Sequence, residues 1–115
     1  MNHKDITITF KVRGGSGQYG KDVLILANDF CVGFLNKSLI NQNKGWAIDM
    51  HNFGLYFKDD FGGNLARGKK ALIELFKNGA NSENACTHKG EETMLRMVCE
   101  FVECQQNKKN QEHDR

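Results

Sequence analysis

A glycine-rich run is the part of this sequence closest to a known chemical motif. Residues 15–20 read GSGQYG and fit the GxGxxG spacing of dinucleotide-binding loops. That motif needs a helix directly after the glycines, whereas the next residues, from Lys21 to Ile25, have strand character. A kinase phosphate loop does lie between strands, but this chain has no HRD loop and is too short. We interpret the run as an inter-strand loop, whose backbone N–H groups, beside Arg13 and Lys21, could contact a phosphate.

Four side chains that can bind zinc lie in the C-terminal third: Cys86, His88, Cys99 and Cys104. Structural zinc sites mostly use paired ligands on tight turns. Cys99 and Cys104 are five positions apart on a predicted helix, about 140° apart around its axis. They do not easily converge on one metal, so we predict no metal site. The polar N-terminus lacks a signal-peptide pattern, and we therefore expect these thiols and Cys31 to stay reduced.

The remaining catalytic candidate is a carboxylate–imidazole pair. Asp49 and His51 point the same way if the predicted fourth strand continues through position 51. No serine or cysteine nucleophile with its own base can be placed beside them from the sequence. The histidines lie in separate segments, without HxxxH or HExxH spacing. We interpret His51 as a turn histidine and the following Asp59-Asp60 as a solvated acidic loop, and we predict neither a catalytic site nor a cofactor.

Length and composition limit the class of protein. The chain has 115 residues, which is enough for one core and leaves no room for a second. Hydrophobic residues make up 39% and charged residues 26%, within the range of soluble domains. No apolar run approaches the ~18 residues of a membrane span, so we expect a cytoplasmic protein. The net charge of +2 is too small for pervasive, non-specific nucleic-acid binding.

Alternation of apolar and polar residues predicts an antiparallel sheet. The first strand is indicated by four apolar residues at every second position: Ile6, Ile8, Phe10 and Val12. Strands at Val23–Ala27 and Phe30–Leu35 follow, joined by Asn28-Asp29, which tolerates the positive φ of a tight hairpin. A fourth strand with Trp46 on its apolar face and a fifth at Leu55–Lys58 complete a meander of four to five strands.

The second predicted strand is apolar on both faces, with Ile25 on one and Leu24 and Leu26 on the other. A strand of this kind is central in a sheet, or covered on both sides. Two helices do not cover both faces alone. A homodimer contact is therefore one way to cover the second face.

A capped amphipathic helix is predicted after the sheet. Asn64 is a suitable N-cap, and Gly79 is placed to end the helix. Gly68 either weakens this helix by ~1 kcal/mol relative to alanine or permits close approach to the sheet. At 100° per residue the apolar side chains form one stripe: Leu65, Leu72, Ile73, Leu75 and Phe76.

The opposite side of this helix is cationic. Residues 64–79 carry four basic side chains against one acidic side chain, Glu74. Any soluble helix needs a charged outer face, so a solvated surface is the ordinary interpretation. A nearly unbroken basic ridge also fits phosphates or an acidic protein surface. We predict a partner-binding set of five side chains: Arg67, Lys70, Lys77, Arg13 and Lys21.

A second helix is predicted to begin at Gly90, with Glu91 and Glu92 in its first turn, where acids suit the helix dipole. Its apolar stripe has helical spacing: Met94, Leu95, Met97, Val98, Phe101 and Val102. Residues 80–107 carry two basic and five acidic side chains. The acids of this helix could provide a counter-surface for the basic ridge, within the protomer or across a dimer.

Together these patterns predict a single α+β domain over residues 1–104, with two C-terminal amphipathic helices packed on the sheet. Residues 105–115 are predicted to form a polar tail, with too little apolar surface to order itself by burial. An ordered tail requires a continued helix, a lattice contact or a partner.

The lack of a catalytic constellation and the opposite charges of the two helices favour a non-enzymatic protein that acts by occupying a macromolecular partner, most simply another protein. Small, proline-free, asparagine-rich domains of this kind look similar to accessory and inhibitory proteins of phages and mobile elements, including those that block host defence complexes. The alternative is a nucleic-acid-binding module, whose ridge and glycine-rich loop bind phosphates while sheet aromatics stack on bases. An enzyme built on the loop or the Asp49–His51 pair is a third hypothesis.

Overall fold

A computed structural model describes residues 1–13, 22–37, 46–58, 61, 64–80 and 85–113. A short 3-10 helix at His3–Asp5 precedes the sheet. The five strands are β1 (Ile8–Arg13), β2 (Asp22–Ala27), β3 (Phe30–Lys37), β4 (Trp46–Met50) and β5 (Tyr56–Lys58). Two helices follow, α1 (Leu65–Asn78) and α2 (Ala85–His113). The predicted α+β class, with a five-strand antiparallel sheet and two C-terminal helices, is confirmed.

The sheet is a meander in which each strand pairs with its neighbours in the chain, in the order β1-β2-β3-β4-β5. The predicted hairpin between β2 and β3 is confirmed, because Asn28 and Asp29 have φ values of 47° and 72°. Positive φ at both central residues gives the turn a twist that matches the flanking strands. Arg13 ends β1 opposite Asp22.

Both helices lie on the same face of the sheet. The side chains of this covered face form the core with the buried stripes of the helices: Val23, Ile25, Ala27, Leu35, Ile48, Met50 and Tyr56. No helix in the described part of the chain covers the other face. The register aligns Leu24, Phe34, Asp49 and Phe57 on it, in one row across β2 to β5. We call this surface the open face.

Helix α1 is capped as predicted. The Asn64 side chain accepts a hydrogen bond from the Arg67 backbone N–H, and Gly79 ends the helix with a φ of 84°. Gly68 is buried against the sheet, since a Cβ there would lie 3.4 Å from Leu35 Cδ2. Of the two interpretations of Gly68, close approach is the correct one. One prediction for the apolar stripe is wrong, because Ile73 is 44% exposed.

Helix α2 is longer than predicted. It begins at Ala85 rather than at Gly90, so Glu91 and Glu92 lie in its second turn and not at its positive end. It continues past position 104 to His113, so a continued helix accounts for much of the predicted tail. Near its C-terminal end, a groove between the helix and the β2–β3 turn is lined by Gln106 and Asn28 among others. The polar end of α2 therefore faces that turn across the groove.

The N-terminal segment contacts both helices. His3 Nδ1 donates a 2.6 Å hydrogen bond to the carbonyl of Phe76, in the last turn of α1. The N-terminal ammonium of Met1 lies 3.2 Å from Glu103 Oε2 on α2. The last turn of α1 leaves carbonyl groups without helical partners, so the His3 contact satisfies one of them.

Candidate interaction surface

The basic ridge, defined as Arg67, Lys70 and Lys77, lies on the exposed side of α1. Arg67 and Lys70 are three positions apart, and Lys70 and Lys77 are seven apart, so all three follow one side of the helix over about 15 Å. Among the described residues, none of the three side chains forms an ion pair. The ridge therefore presents three solvated cations in a fixed order.

An exposed apolar side chain lies beside this ridge, which Glu74 interrupts. Ile73 is three positions after Lys70 and four before Lys77, so it lies between them on the helix surface. Its exposed fraction of 44% places it among the large hydrophobic residues that the fold does not bury. Cations beside an exposed apolar side chain make a surface that fits a protein partner better than a surface that binds phosphates alone.

A groove of about 520 Å³ separates the C-terminal half of α1 from the N-terminal part of β1. Its walls are mostly apolar, and lysines lie at its rim. The lining residues are Lys4, Ile6, Thr7, Ile8, Ile73, Phe76, Lys77 and Asn78. Ile73 and Lys77 therefore belong to both the groove and the exposed side of α1, and the two features form one continuous surface.

Farther along the same boundary, Lys69 connects α1 to β1. Its Nζ lies 5.5 Å from the ring centroid of Phe10, a cation–π contact. Because Phe10 and Ile8 face the helices, α1 runs along the outer strand of the sheet.

Arg13 lies apart from the ridge. Its guanidinium is 5.5 Å from the ring centroid of Phe34, which is on the open face. The ridge projects from α1, which covers the opposite face. The sheet therefore separates Arg13 from the three helix cations. Lys21 and the glycine-rich run 15–20 lie outside the described residues, and the prediction that they bind a partner or a phosphate stays a prediction.

The carboxylate–imidazole pair does form. His51 Nδ1 donates to Asp49 Oδ1 at 2.7 Å, and the His51 backbone N–H donates to the same oxygen at 3.3 Å. The imidazole is mostly exposed, in the turn after β4. Within the described part of the chain, His51 has no hydrogen bond to a hydroxyl or thiol. Among the described residues, the contact is that of an acid that orients a turn histidine, with no nucleophile for it to activate; Asp59 and Asp60 lie outside those residues.

The cysteines are distributed over separate surfaces. Cys31 and Cys104 are exposed, whereas Cys99 is buried against the N-terminal segment. Burial, followed by the nearby Asp5, Glu103 and Glu100 carboxylates, raises the pKa of the Cys99 thiol, and the N-terminal ammonium opposes them. The side chains of Cys86 and His88 lie outside the described residues. Where side chains are described, no three acidic, histidine or cysteine residues group as metal ligands would.

The acids of α2 line a different cleft from the groove beside the ridge. A cavity of about 580 Å³ lies between α2 and the N-terminal segment, with Glu92, Glu100 and Glu103 on its helix side. Glu103 binds the N-terminal ammonium there. The intramolecular pairing of acidic α2 with the ridge, one of the two alternatives above, has no ion pair among the described residues to support it.

Sequence reasoning missed one unusual side chain. Glu91 is 5% exposed, and its Oε2 has no hydrogen-bond partner among the described residues. The available signal is its spacing: it precedes Met94 by three positions and Leu95 by four, so it falls on the apolar stripe. A helix that is predicted to begin at Gly90 has Glu91 in its first turn, where an acid is expected, and the position of Glu91 on the apolar stripe is then easily overlooked.

Comparison with protein-family models, with curated proteins and with solved structures finds no match to this chain. In the described part of the chain, neither helix combines the length and the hydropathy that crossing a bilayer requires.

Proposed function

We propose that this is a non-enzymatic binding protein that acts by occupying an acidic protein partner through the basic ridge on α1. The observation that carries the proposal is the row of Arg67, Lys70 and Lys77 beside the exposed Ile73, with no ion pair from these cations among the described residues. The charge of this surface is predominantly positive, with Glu74 as its one acid on α1, and such a surface steers and selects an acidic partner. A central apolar side chain is the kind of contact that supplies binding energy.

The biological setting that we propose is inhibition of a host protein complex, such as a defence complex, by a phage or mobile element. Its support is composition alone: a chain of 115 residues without proline and rich in asparagine. The ridge suits this mode of action, because occupying a surface needs complementary charge and shape and no catalytic group.

Charge reversal of the ridge tests the proposal. A tagged chain and the triple variant Arg67→Glu, Lys70→Glu, Lys77→Glu are expressed in the cells that carry the gene, and bound proteins are quantified by mass spectrometry. We expect one stoichiometric partner with the unaltered chain and its loss with the variant. Cross-links from Lys70 and Lys77 are expected on a surface of the partner rich in aspartate and glutamate.

The matched control is Lys108→Glu with Lys109→Glu, which reverses charge at exposed positions of α2 far from the ridge. Circular dichroism checks that each variant is folded. The proposal fails if no stoichiometric partner is recovered, or if the ridge variant retains the partner as well as the control does.

A nucleic-acid-binding module is the second candidate, favoured by the open face. Phe57 is 48% exposed there, and Arg13 stacks on Phe34 two strands away. Exposed aromatic rings with nearby cations are the means by which proteins bind single strands without sequence preference. Fluorescence anisotropy with single- and double-stranded oligonucleotides at low and moderate salt tests it. Binding that weakens with salt and is lost in Phe57→Ala supports this candidate, and no binding at low salt removes it.

A further inference from the structure

Strand β1 has a free edge. It pairs with β2 on one side, and no described strand pairs with it on the other. The Asn28 backbone N–H donates to the Thr7 carbonyl at 3.0 Å, so position 7 points its backbone groups toward β2. Because these directions alternate along an antiparallel strand, the backbone groups of Ile8, Phe10 and Val12 point away from the sheet. Three residues thus present N–H donors and carbonyl acceptors at one edge.

The two sides of this edge differ in chemistry. On the helix side lie Ile8 and Phe10, with Ile73 across the groove. On the other side are Thr9 and Lys11, which alternate with them and are exposed. A strand added here would place every second side chain against apolar surface and the others beside hydroxyl and ammonium groups.

The charge around the edge is predominantly positive. Lys4 and Lys77 lie at the groove, Lys69 lies over Phe10, and Lys11 is on the strand itself. Lysine on an edge strand also opposes pairing between two copies of the same chain, because β1 against β1 would bring like charges together. It does not oppose an acidic strand. The charge therefore selects a partner other than a second copy.

We propose that β1 is the docking edge for an extended acidic segment of the partner, which adds to the sheet as a sixth strand. The segment alternates apolar residues, directed toward the groove and Ile73, with aspartate or glutamate residues beside Lys11. Main-chain hydrogen bonds to Ile8, Phe10 and Val12 hold it, and the alternating side chains give it specificity. This inference rests on the proposed function and specifies the conformation and sequence pattern of the bound segment.

A synthetic peptide tests the inference directly. The probe is a seven-residue peptide of alternating glutamate and valine, blocked at both ends and fluorescently labelled, with anisotropy as the readout. We expect saturable binding that weakens at least about tenfold when alternate amides facing β1 are N-methylated, because that removes the edge hydrogen bonds. The lysine–valine counterpart should not bind. In NMR spectra, the amides of Ile8, Phe10 and Val12 should become protected from hydrogen exchange.

Protein variants provide the controls. Lys11→Glu should weaken binding about tenfold, as should Ile73→Asp, whereas Lys108→Glu should leave it unchanged. No binding at millimolar peptide overturns the inference. Binding that is insensitive to N-methylation also overturns it, because the peptide then uses charge without the strand edge. The peptide can fail either of these tests while charge reversal of the ridge still abolishes binding of a cellular partner. In that case the proposed function stands, and only the addition of a sixth strand at β1 is wrong.

Discussion

Gly33 shows how closely β3 and β4 approach each other. A Cβ at this position would lie 2.5 Å from the carbonyl oxygen of Asp49 and 2.7 Å from Met50 Cγ. Real Cβ atoms do not come that near a backbone oxygen, so any side chain here forces the strands apart. The requirement for glycine comes from the neighbouring strand.

Gly33→Ala is expected to destabilise the fold by about 1–3 kcal/mol, because overpacking of a closed site displaces backbone. Chemical denaturation followed by circular dichroism measures the change. Gly90→Ala is the matched control, since a Cβ there meets nothing within 4 Å and alanine favours the helix by about 0.5–1 kcal/mol. Equal effects of the two substitutions would contradict this account.

For the buried Glu91 carboxylate we expect a substitution to stabilise the fold and not to destabilise it. The Glu91 Oε2 atom has no hydrogen-bond partner among the described residues, so this atom loses hydration on folding without a replacement there. Glu91→Met keeps a similar volume and removes the charge, so we expect it to raise the free energy of unfolding by about 1–2 kcal/mol. Glu100→Met, at an exposed position on the same helix, should change it by less than about 0.5 kcal/mol. A loss of stability in Glu91→Met would show that the carboxylate has a binding partner in solution.

At the scale of single elements, the N-cap of α1 decides where this helix begins. Asn64→Ala removes the acceptor for the Arg67 N–H and should lower stability by about 1 kcal/mol. Asn64→Asp retains an acceptor oxygen and should preserve stability, which separates loss of the cap from a general effect of substitution. Thermal unfolding measures both. If alanine and aspartate behave alike, the cap does not contribute.

The turns and helix ends of single elements are the features that the sequence predicts well. The Asn28–Asp29 hairpin and the Asn64 and Gly79 ends of α1 follow from local conformational preferences, so residue types alone identify them. The basic ridge follows from helical spacing once those ends are known. The start of α2 was missed because residues 85–89 carry no apolar periodicity, and Gly90 suggested a break.

Other features depend on the arrangement of whole elements. The free edge of β1 requires the strand order, and the Arg13–Phe34 contact requires the register between three strands. The exposure of Ile73 depends on where α1 lies over the sheet, since its helical position alone placed it at the margin of the apolar stripe. Local preference cannot supply these facts, because they arise from contacts between segments distant in the chain.

For the whole molecule, the covered and open faces of the sheet set an expectation for oligomeric state. Leu24 and Phe34 are paired on neighbouring central strands of the open face. A two-fold axis between β2 and β3 would place Leu24 of each copy over Phe34 of the other, a self-complementary packing of two sheets. The homodimer anticipated from the two apolar faces of β2 is therefore expected to form through this surface.

Sedimentation equilibrium measures the oligomeric state and tests this expectation. We expect the unaltered chain to dimerise and Phe57→Glu to remain a monomer, because the substitution places a charge at the margin of the packed faces. Leu55→Glu is the matched control, since Leu55 is 81% exposed in the turn before β5 and does not belong to the open face. A monomeric unaltered chain at high concentration would contradict the expectation.

The order of the strands also bears on how the chain folds. Each strand of the meander finds its partner next to it in the sequence, so no pairing requires the closure of a long loop. Sheets assembled from neighbouring pairs have low contact order and fold faster than sheets that join distant segments. The tight turn at Asn28–Asp29 makes the β2–β3 hairpin the expected nucleus, and hairpins of this kind form in about 1–10 μs. The other strands and the two helices can then add to a template that local sequence has already specified.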